Sequence, residues 1–149
     1  MGNLHVLDVC TGEVFWKRDI NADYQVRMPI WGIAAAPLIY EETVILHIGG
    51  ADGASVIALD KTTGQEHWRA LEDSVSYSAP ILIQQAGQTV LVCWTGDHVT
   101  GLNPADGSVH WKIEMKPTRM VINIATPVHL GNRLFMTCFY LPVPFALYH

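Results

Sequence analysis

Charge is scarce in this chain of 149 residues: Asp, Glu, Lys and Arg together make up only 15% of it. The 9 basic and 14 acidic residues leave a net charge of −5, with no run of Lys or Arg. Such a chain offers no attraction to a phosphate backbone or an anionic bilayer, which argues against nucleic acid and membrane surface as partners. Long apolar runs are missing too. Val44-Ile45-Leu46-His47-Ile48 falls far short of the roughly 20 residues a spanning helix needs. The opening Met1-Gly2-Asn3-Leu4-His5 has neither the basic start nor the apolar stretch of a secretory signal, and lacks the Ser or Thr that myristoylation requires. Cysteine is limited to Cys10, Cys93 and Cys138. An odd number without CxxC spacing, and without histidines at metal-ligand spacing, builds neither a fully paired disulfide framework nor a zinc site; these read as small, partly buried residues. HExxH, GxSxG, P-loop and GxGxxG motifs are all missing. What is plentiful is apolar residues, at 50%, which excludes disorder and fits one packed domain.

The informative feature is a phrase that occurs three times. VLDVCTGEVFW runs from Val6 to Trp16, ALDKTTGQEHW from Ala58 to Trp68 and GLNPADGSVHW from Gly101 to Trp111. Aligned on Asp8, Asp60 and Asn103, each has glycine four residues later (Gly12, Gly64, Gly107) and tryptophan four after that (Trp16, Trp68, Trp111). The spacing suits a hairpin loop. Asp or Asn at the first position accepts hydrogen bonds from backbone N–H groups ahead of it, and glycine closes the loop at positive φ without steric cost. The carboxylates are therefore expected to form turns, not to catalyse or to bind metal.

A second landmark precedes each unit. Pro37, Pro80 and Pro127 stand where strands begin, a place where the missing N–H does no harm. Pro37 to Trp68 and Pro80 to Trp111 are both 31 residues. The first turn inside that length reads as short in one unit (Glu41-Glu42) and long in the other (Gln84 to Gln88), and the next turn as the reverse. Strands are expected at 38–40, 44–48, 56–59 and 65–69, and again at 81–83, 90–94, 99–102 and 108–113. The first three of each unit are nearly continuous apolar runs, the mark of strands covered on both faces, while the fourth alternates and suits an outer edge. Four antiparallel strands repeated at about 45 residues describe a β-propeller blade, with the three tryptophans as wedges between blades.

Ala-Pro followed by Leu-Asp-x-x-Thr-Gly-x-x-x-Trp resembles the repeat of the pyrroloquinoline-quinone-like (PQQ-like) propellers over residues 1–140. The resemblance implies an all-β propeller segment. Strands at 4–7 and 14–17 open it as a half blade, two full blades follow, and strands at 128–130 and 133–139 close it as another half blade. Residues 141–149 carry two prolines and no glycine, and read as an aberrant or truncated tail. The family includes quinoprotein dehydrogenases and non-enzymatic propellers, among them an outer-membrane assembly lipoprotein. The first reading is a non-enzymatic module for binding or scaffolding, without cofactor. The alternative is a fragment of a dehydrogenase that would use PQQ with calcium. No adjacent cysteine pair and no identifiable Glu/Asn/Asp calcium set support that alternative. The family also implies an extracytoplasmic or periplasmic home, and a partial ring implies a protein partner or self-association through open blade edges.

The segments joining one blade to the next vary in length, as loops carrying function on a fixed frame do. They hold aromatic and cationic side chains suited to recognition: Arg27 and Trp31, then Tyr77, then Arg119 and Asn123.

Overall fold

A computed structural model describes residues 2–117, 120 and 123–138, and the backbone of 146–147. It contains four antiparallel sheets in chain order. β1 (Asn3–Leu7) and β2 (Val14–Asp19) form a hairpin. β3 (Leu38–Tyr40), β4 (Thr43–His47), β5 (Val56–Asp60) and β6 (Glu66–Ala70) make the first full blade. β7 (Ile81–Gln85), β8 (Gln88–Trp94), β9 (His98–Leu102) and β10 (Val109–Glu114) make the second. β11 (Val128–Leu130), β12 (Arg133–Phe135) and β13 (Ala146–Leu147) make a three-stranded sheet. Each sheet is a meander, with neighbours in space also neighbours in sequence.

Three apolar clusters fill the spaces between sheets. Val44, Leu46 and Ile48 of the first full blade face the hairpin and its Leu4 and Trp16. Ile45, Val56 and Ala58, on the opposite face, meet Leu91, Cys93 and Leu102 of the second blade. Val90, Val92 and Trp94 then pack toward Leu134 of β12. Successive residues of a strand point to opposite faces, and here both faces are covered. That is why the central strands tolerate no polar alternation.

The three phrases are tight turns at one end of the sheets. The Asp8 carboxylate accepts the N–H groups of Cys10 and Thr11, both at 2.8 Å. Asp60 accepts those of Thr62 and Thr63, and Asn103 that of Ala105. Hydrogen bonds from backbone groups, Thr11 foremost for Asp8 and Thr63 for Asp60, hold both carboxyls below their usual range. Gly12, Gly64 and Gly107 close the loops at φ of 77°, 73° and 76°, donating to the carbonyls of Asp8, Asp60 and Asn103.

Each tryptophan is preceded by a bulge that periodicity does not reveal. Val6 pairs with Trp16 and Leu7 with Val14, so Phe15 is an extra residue; His67 and His110 occupy the same place in the other phrases. A bulge re-aims the side chain that follows it, and here that side chain is the indole. Trp16 lies on the next blade's turn: a Cβ on Gly64 would stand 2.9 Å from its ring, and its Nε1 donates to the Lys61 carbonyl at 3.0 Å. Trp68 repeats this on Gly107 and the Pro104 carbonyl. Trp111 does not. Its ring lies over Gly101 of its own blade, and Nε1 donates to Gln85 Oε1.

Several expectations need correction. Residues 20–24, read as loop, form a short helix, α1 (Ile20–Tyr24), capped by the Asp19 side chain accepting from the Ala22 N–H. The long turn expected at Gln84–Gln88 is a two-residue Ala86-Gly87 turn, because the extra residues lengthen β7 and β8 instead. β12 ends at Phe135; residues 139–145 and 148–149, most of the expected tail, lie outside the described residues. Ala146 and Leu147 nonetheless occupy the third-strand place of the last sheet. Leu147 stands opposite Leu134 as Leu59 stands opposite Val44 and Leu102 opposite Leu91.

Two outcomes follow. Trp68→Ala empties a buried wedge and removes one joint, and should lower unfolding free energy by about 3–5 kcal/mol in urea titration. His47 is buried with neither ring nitrogen hydrogen-bonded, and burial pushes it down to about 4 from 6.5. The unfolded chain takes up that proton near pH 6.5 and the folded chain only near pH 4. Stability should therefore be full above pH 6.5 and fall by up to about 3 kcal/mol as pH drops to 4, a slope that His47→Leu should flatten.

Candidate functional site

In an antiparallel meander the connections between blades emerge at the end opposite the turn phrases. The three connections here, joined by the turns after β4 and β8, surround a cleft of about 800 Å³. Its rim comes mainly from the longest connection, which supplies Arg27, Ile30 and Trp31. The helix α1 anchors that connection. Tyr24 is buried, donates its hydroxyl to Glu66 at 2.8 Å and lies beneath the guanidinium groups of Arg18 and Arg69. Burial, with the Glu66 carboxylate accepting its proton, lifts that phenol to about 12. Tyr24 is thus a fixed strut, and the residues after it are presented outward.

Trp31 meets Tyr77 edge to face, with ring centroids 5.7 Å apart at 63°. This arrangement exploits the ring quadrupoles and couples the first connection to the second. Trp31 remains 60% exposed and shares the cleft lining with the exposed Ile30 and Met120. Arg27 is exposed on the same rim.

Beneath the rim lies a polar floor that sequence reading missed. Asp73 is buried and accepts from Lys112 Nζ at 2.9 Å and Thr95 Oγ1 at 2.8 Å, with His98 Nδ1 3.1 Å away. Asp97 accepts the N–H and hydroxyl of Ser74 and the Lys116 ammonium. Partial burial raises the Asp97 carboxyl, but those Ser74 and Lys116 contacts outweigh it and hold it at about 2. Each carboxylate ties one blade-to-blade connection to the turn or strand of its neighbour. No local signal marks these pairs, because their partners lie more than 18 residues apart in the chain.

Of the loop residues singled out from the sequence, Arg27, Trp31 and Tyr77 line this one cleft. Asn123 is placed differently. It is fully buried, its Nδ2 donates to the Thr95 carbonyl, its Oδ1 accepts from the Cys138 thiol and its carbonyl accepts the Tyr77 N–H. It fixes the second and third connections from inside. Arg119 lies outside the described residues. Pro37, Pro80 and Pro127 each stand immediately before the first strand of a sheet.

A family model described as outer membrane protein assembly factor BamB matches residues 1–140. The chain belongs to this BamB-type family of PQQ-like propeller repeats. Among solved structures it is similar to BamB from Moraxella catarrhalis, with 17% sequence identity and a TM-score of 0.62 over 91% of this chain. It spans 40% of the length of that BamB chain. No functionally curated protein matches the sequence. The β-propeller architecture is thereby shown, and the four sheets are successive blades or parts of blades. Among the described residues no helix is long and apolar enough to cross a membrane.

The floor can be tested through its buried member. Asp73→Ala leaves Lys112 without its acceptor and Thr95 with only the His98 carbonyl, and should cost about 3 kcal/mol in a denaturant midpoint measurement. Lys112→Met leaves the buried Asp73 carboxylate without its ammonium partner and should cost a comparable amount.

Proposed function

We propose that this chain is a non-enzymatic propeller segment whose loop face binds a polypeptide partner. The observation that carries the reading is the cleft rim: an exposed tryptophan braced by Tyr77, with a methionine, an isoleucine and an arginine around it. Aromatic, Met and Arg side chains are the types enriched where proteins bind one another, and rigid aromatic anchors carry most of the affinity. The solved relative is called BamB, and the matching family an outer membrane protein assembly factor. By that analogy we assign the chain to the extracytoplasmic side, in the handling of outer-membrane polypeptides. Open blade edges offer a second route to association.

The dehydrogenase reading is disfavoured by the chemistry of the lining. PQQ carries three carboxylates, whereas the cleft presents Asp52, Glu72, Asp73 and Asp97, and Lys112 and Lys116 are already paired with two of them. Asn123, a loop residue of a type that could ligate calcium, has both amide atoms engaged. Among the described residues no three His, Cys, Asp or Glu side chains converge to hold a metal ion. These features speak against the cofactor reading, although Arg27 on the rim is a cation without an ion-pair partner among the described residues.

A photo-crosslinking amino acid placed at position 31, with position 62 at the opposite end as control, tests the proposal against an unfolded outer-membrane β-barrel polypeptide. Crosslinks should form from position 31 alone, and Trp31→Ala should weaken binding about tenfold or more. Equal labelling at both positions would sink the reading, as would a thermal stabilisation by PQQ with calcium.

A further inference from the structure

Aspartate followed by glycine occurs twice in the chain, at Asp52-Gly53 and Asp106-Gly107. In such a pair the glycine has no side chain to shield its amide nitrogen, and that nitrogen lies within reach of the preceding carboxyl. Whether the two groups meet depends on what holds each of them in the folded chain.

The second pair is held from both sides. The Asp106 carboxylate accepts the N–H and the hydroxyl of Ser108, at 2.8 and 2.6 Å. The Gly107 N–H donates to the Asn103 carbonyl at 2.9 Å. Gly107 is buried, and a Cβ there would stand 2.6 Å from the Trp68 ring. The first pair has none of these restraints. Asp52 and Gly53 are the central residues of the turn after β4, at φ of 54° and 77°, the left-handed pattern of a type I′ turn. One bond closes that turn, from the Ala54 N–H to the Ala51 carbonyl at 3.1 Å. Among the described residues nothing accepts from the Gly53 N–H and nothing donates to the Asp52 carboxylate. Arg69 feels the Asp52 charge, but its guanidinium is committed to Glu66. Asp52 is exposed, and a Cβ on Gly53 would meet nothing within 4 Å. Local opening of such a tip costs little.

We propose that Asp52 is a site of spontaneous covalent modification, where aspartate converts to isoaspartate in the folded protein. The Gly53 amide nitrogen attacks the side-chain carbon of the protonated Asp52 carboxyl. A C–N bond forms, a C–O bond breaks, and the hydroxyl leaves with the amide proton as one water. The product is a five-membered imide, and water then adds to one of its two carbonyl carbons. Addition at the side-chain carbonyl restores aspartate. Addition at the main-chain carbonyl leaves the chain running through Cβ and Cγ of Asp52, with the carboxylate on the former main-chain carbon. One water leaves and one enters, and no carbon changes oxidation state.

The place gives the step a consequence. Asp52 lines the cleft. Its turn also rests on the strut of the longest connection: Ala51 donates its N–H to the Tyr24 carbonyl at 2.9 Å, and a Cβ on Gly50 would stand 2.9 Å from Tyr24 Cβ. Isoaspartate adds one backbone atom to this turn and moves its carboxylate, so the cleft wall and the anchor of the Trp31 segment change together. That effect on binding rests on the polypeptide-binding reading above; the modification itself does not.

Folded protein aged at neutral pH and physiological temperature can be mapped by electron-transfer mass spectrometry. It should carry at least about tenfold more isoaspartate at 52 than at 106, where two carboxylate bonds and one backbone bond must break first. In urea the two sites should react at comparable rates. Asp52→Glu, whose ring would need a further member, should abolish the signal at 52, and Ser108→Ala should raise that at 106. Crosslinking from position 31 should fall several-fold in step with isoaspartate at 52, whereas aged and fresh Asp52→Glu samples should match each other. The proposal is overturned if the folded chain gains no isoaspartate at 52 while the denatured chain does, or if 52 and 106 react alike in the folded state. Its consequence for the cleft is overturned by crosslinking that persists after Asp52 is largely converted. A fresh sample that fails to crosslink would sink the polypeptide-binding reading, and the mass map would still decide the modification.

Discussion

An indole laid across a glycine turn organises this molecule. Sheets stacked face to face are oriented by interdigitating side chains, to which a directed hydrogen bond adds a fixed point. The Trp16 and Trp68 joints supply that point. Each fixes one edge of a blade to one turn of the next through a flat contact and a single directed hydrogen bond. The remaining elements follow from that contact. Glycine is needed because any side chain would hold the ring away. The turn's Asp or Asn is needed because the loop must present its carbonyl outward while its own N–H groups are satisfied from within. The bulge before each tryptophan is needed to aim the ring.

The fold was legible because this device recurs. Three phrases in register named both the turn and the wedge, and unbroken apolar runs such as Val44–Ile48 pointed to sheets covered on both faces. What stayed hidden was anything that did not repeat. α1 is a single turn and a half of helix, capped by Asp19 in a segment with no apolar periodicity to announce it. The bulges were invisible because an extra residue inside an otherwise alternating strand changes pairing without changing composition. The β7–β8 hairpin misled for a related reason: Gln84, Gln85 and Gln88 read as loop residues, yet they lie on the exposed end of a strand, where pairing and not burial determines the backbone.

The candidate site shows the same division. Exposed aromatic and cationic residues in variable segments could be picked out singly, and Arg27, Trp31 and Tyr77 do share one cleft. The polar floor could not be read. Asp73 and Asp97 look like ordinary loop acids until the fold brings Lys112, Thr95, Ser74 and Lys116 to them. Asn123 illustrates the converse: a polar loop residue that is consumed internally, its amide spent on the backbone of a neighbouring blade and a thiol.

The two ends of the sheets thus carry separate duties. Seams sit at the turn end, recognition at the connection end, with the full length of the strands between them. One described link runs between them: Arg18 donates to the carbonyl of the turn residue Gly64 and pairs with Asp23 of α1, the helix that anchors the longest connection. A lineage built this way that keeps the link can exchange its specificity-bearing segments without disturbing how its wedges stack, and can add or lose whole blades without rewriting what it grips.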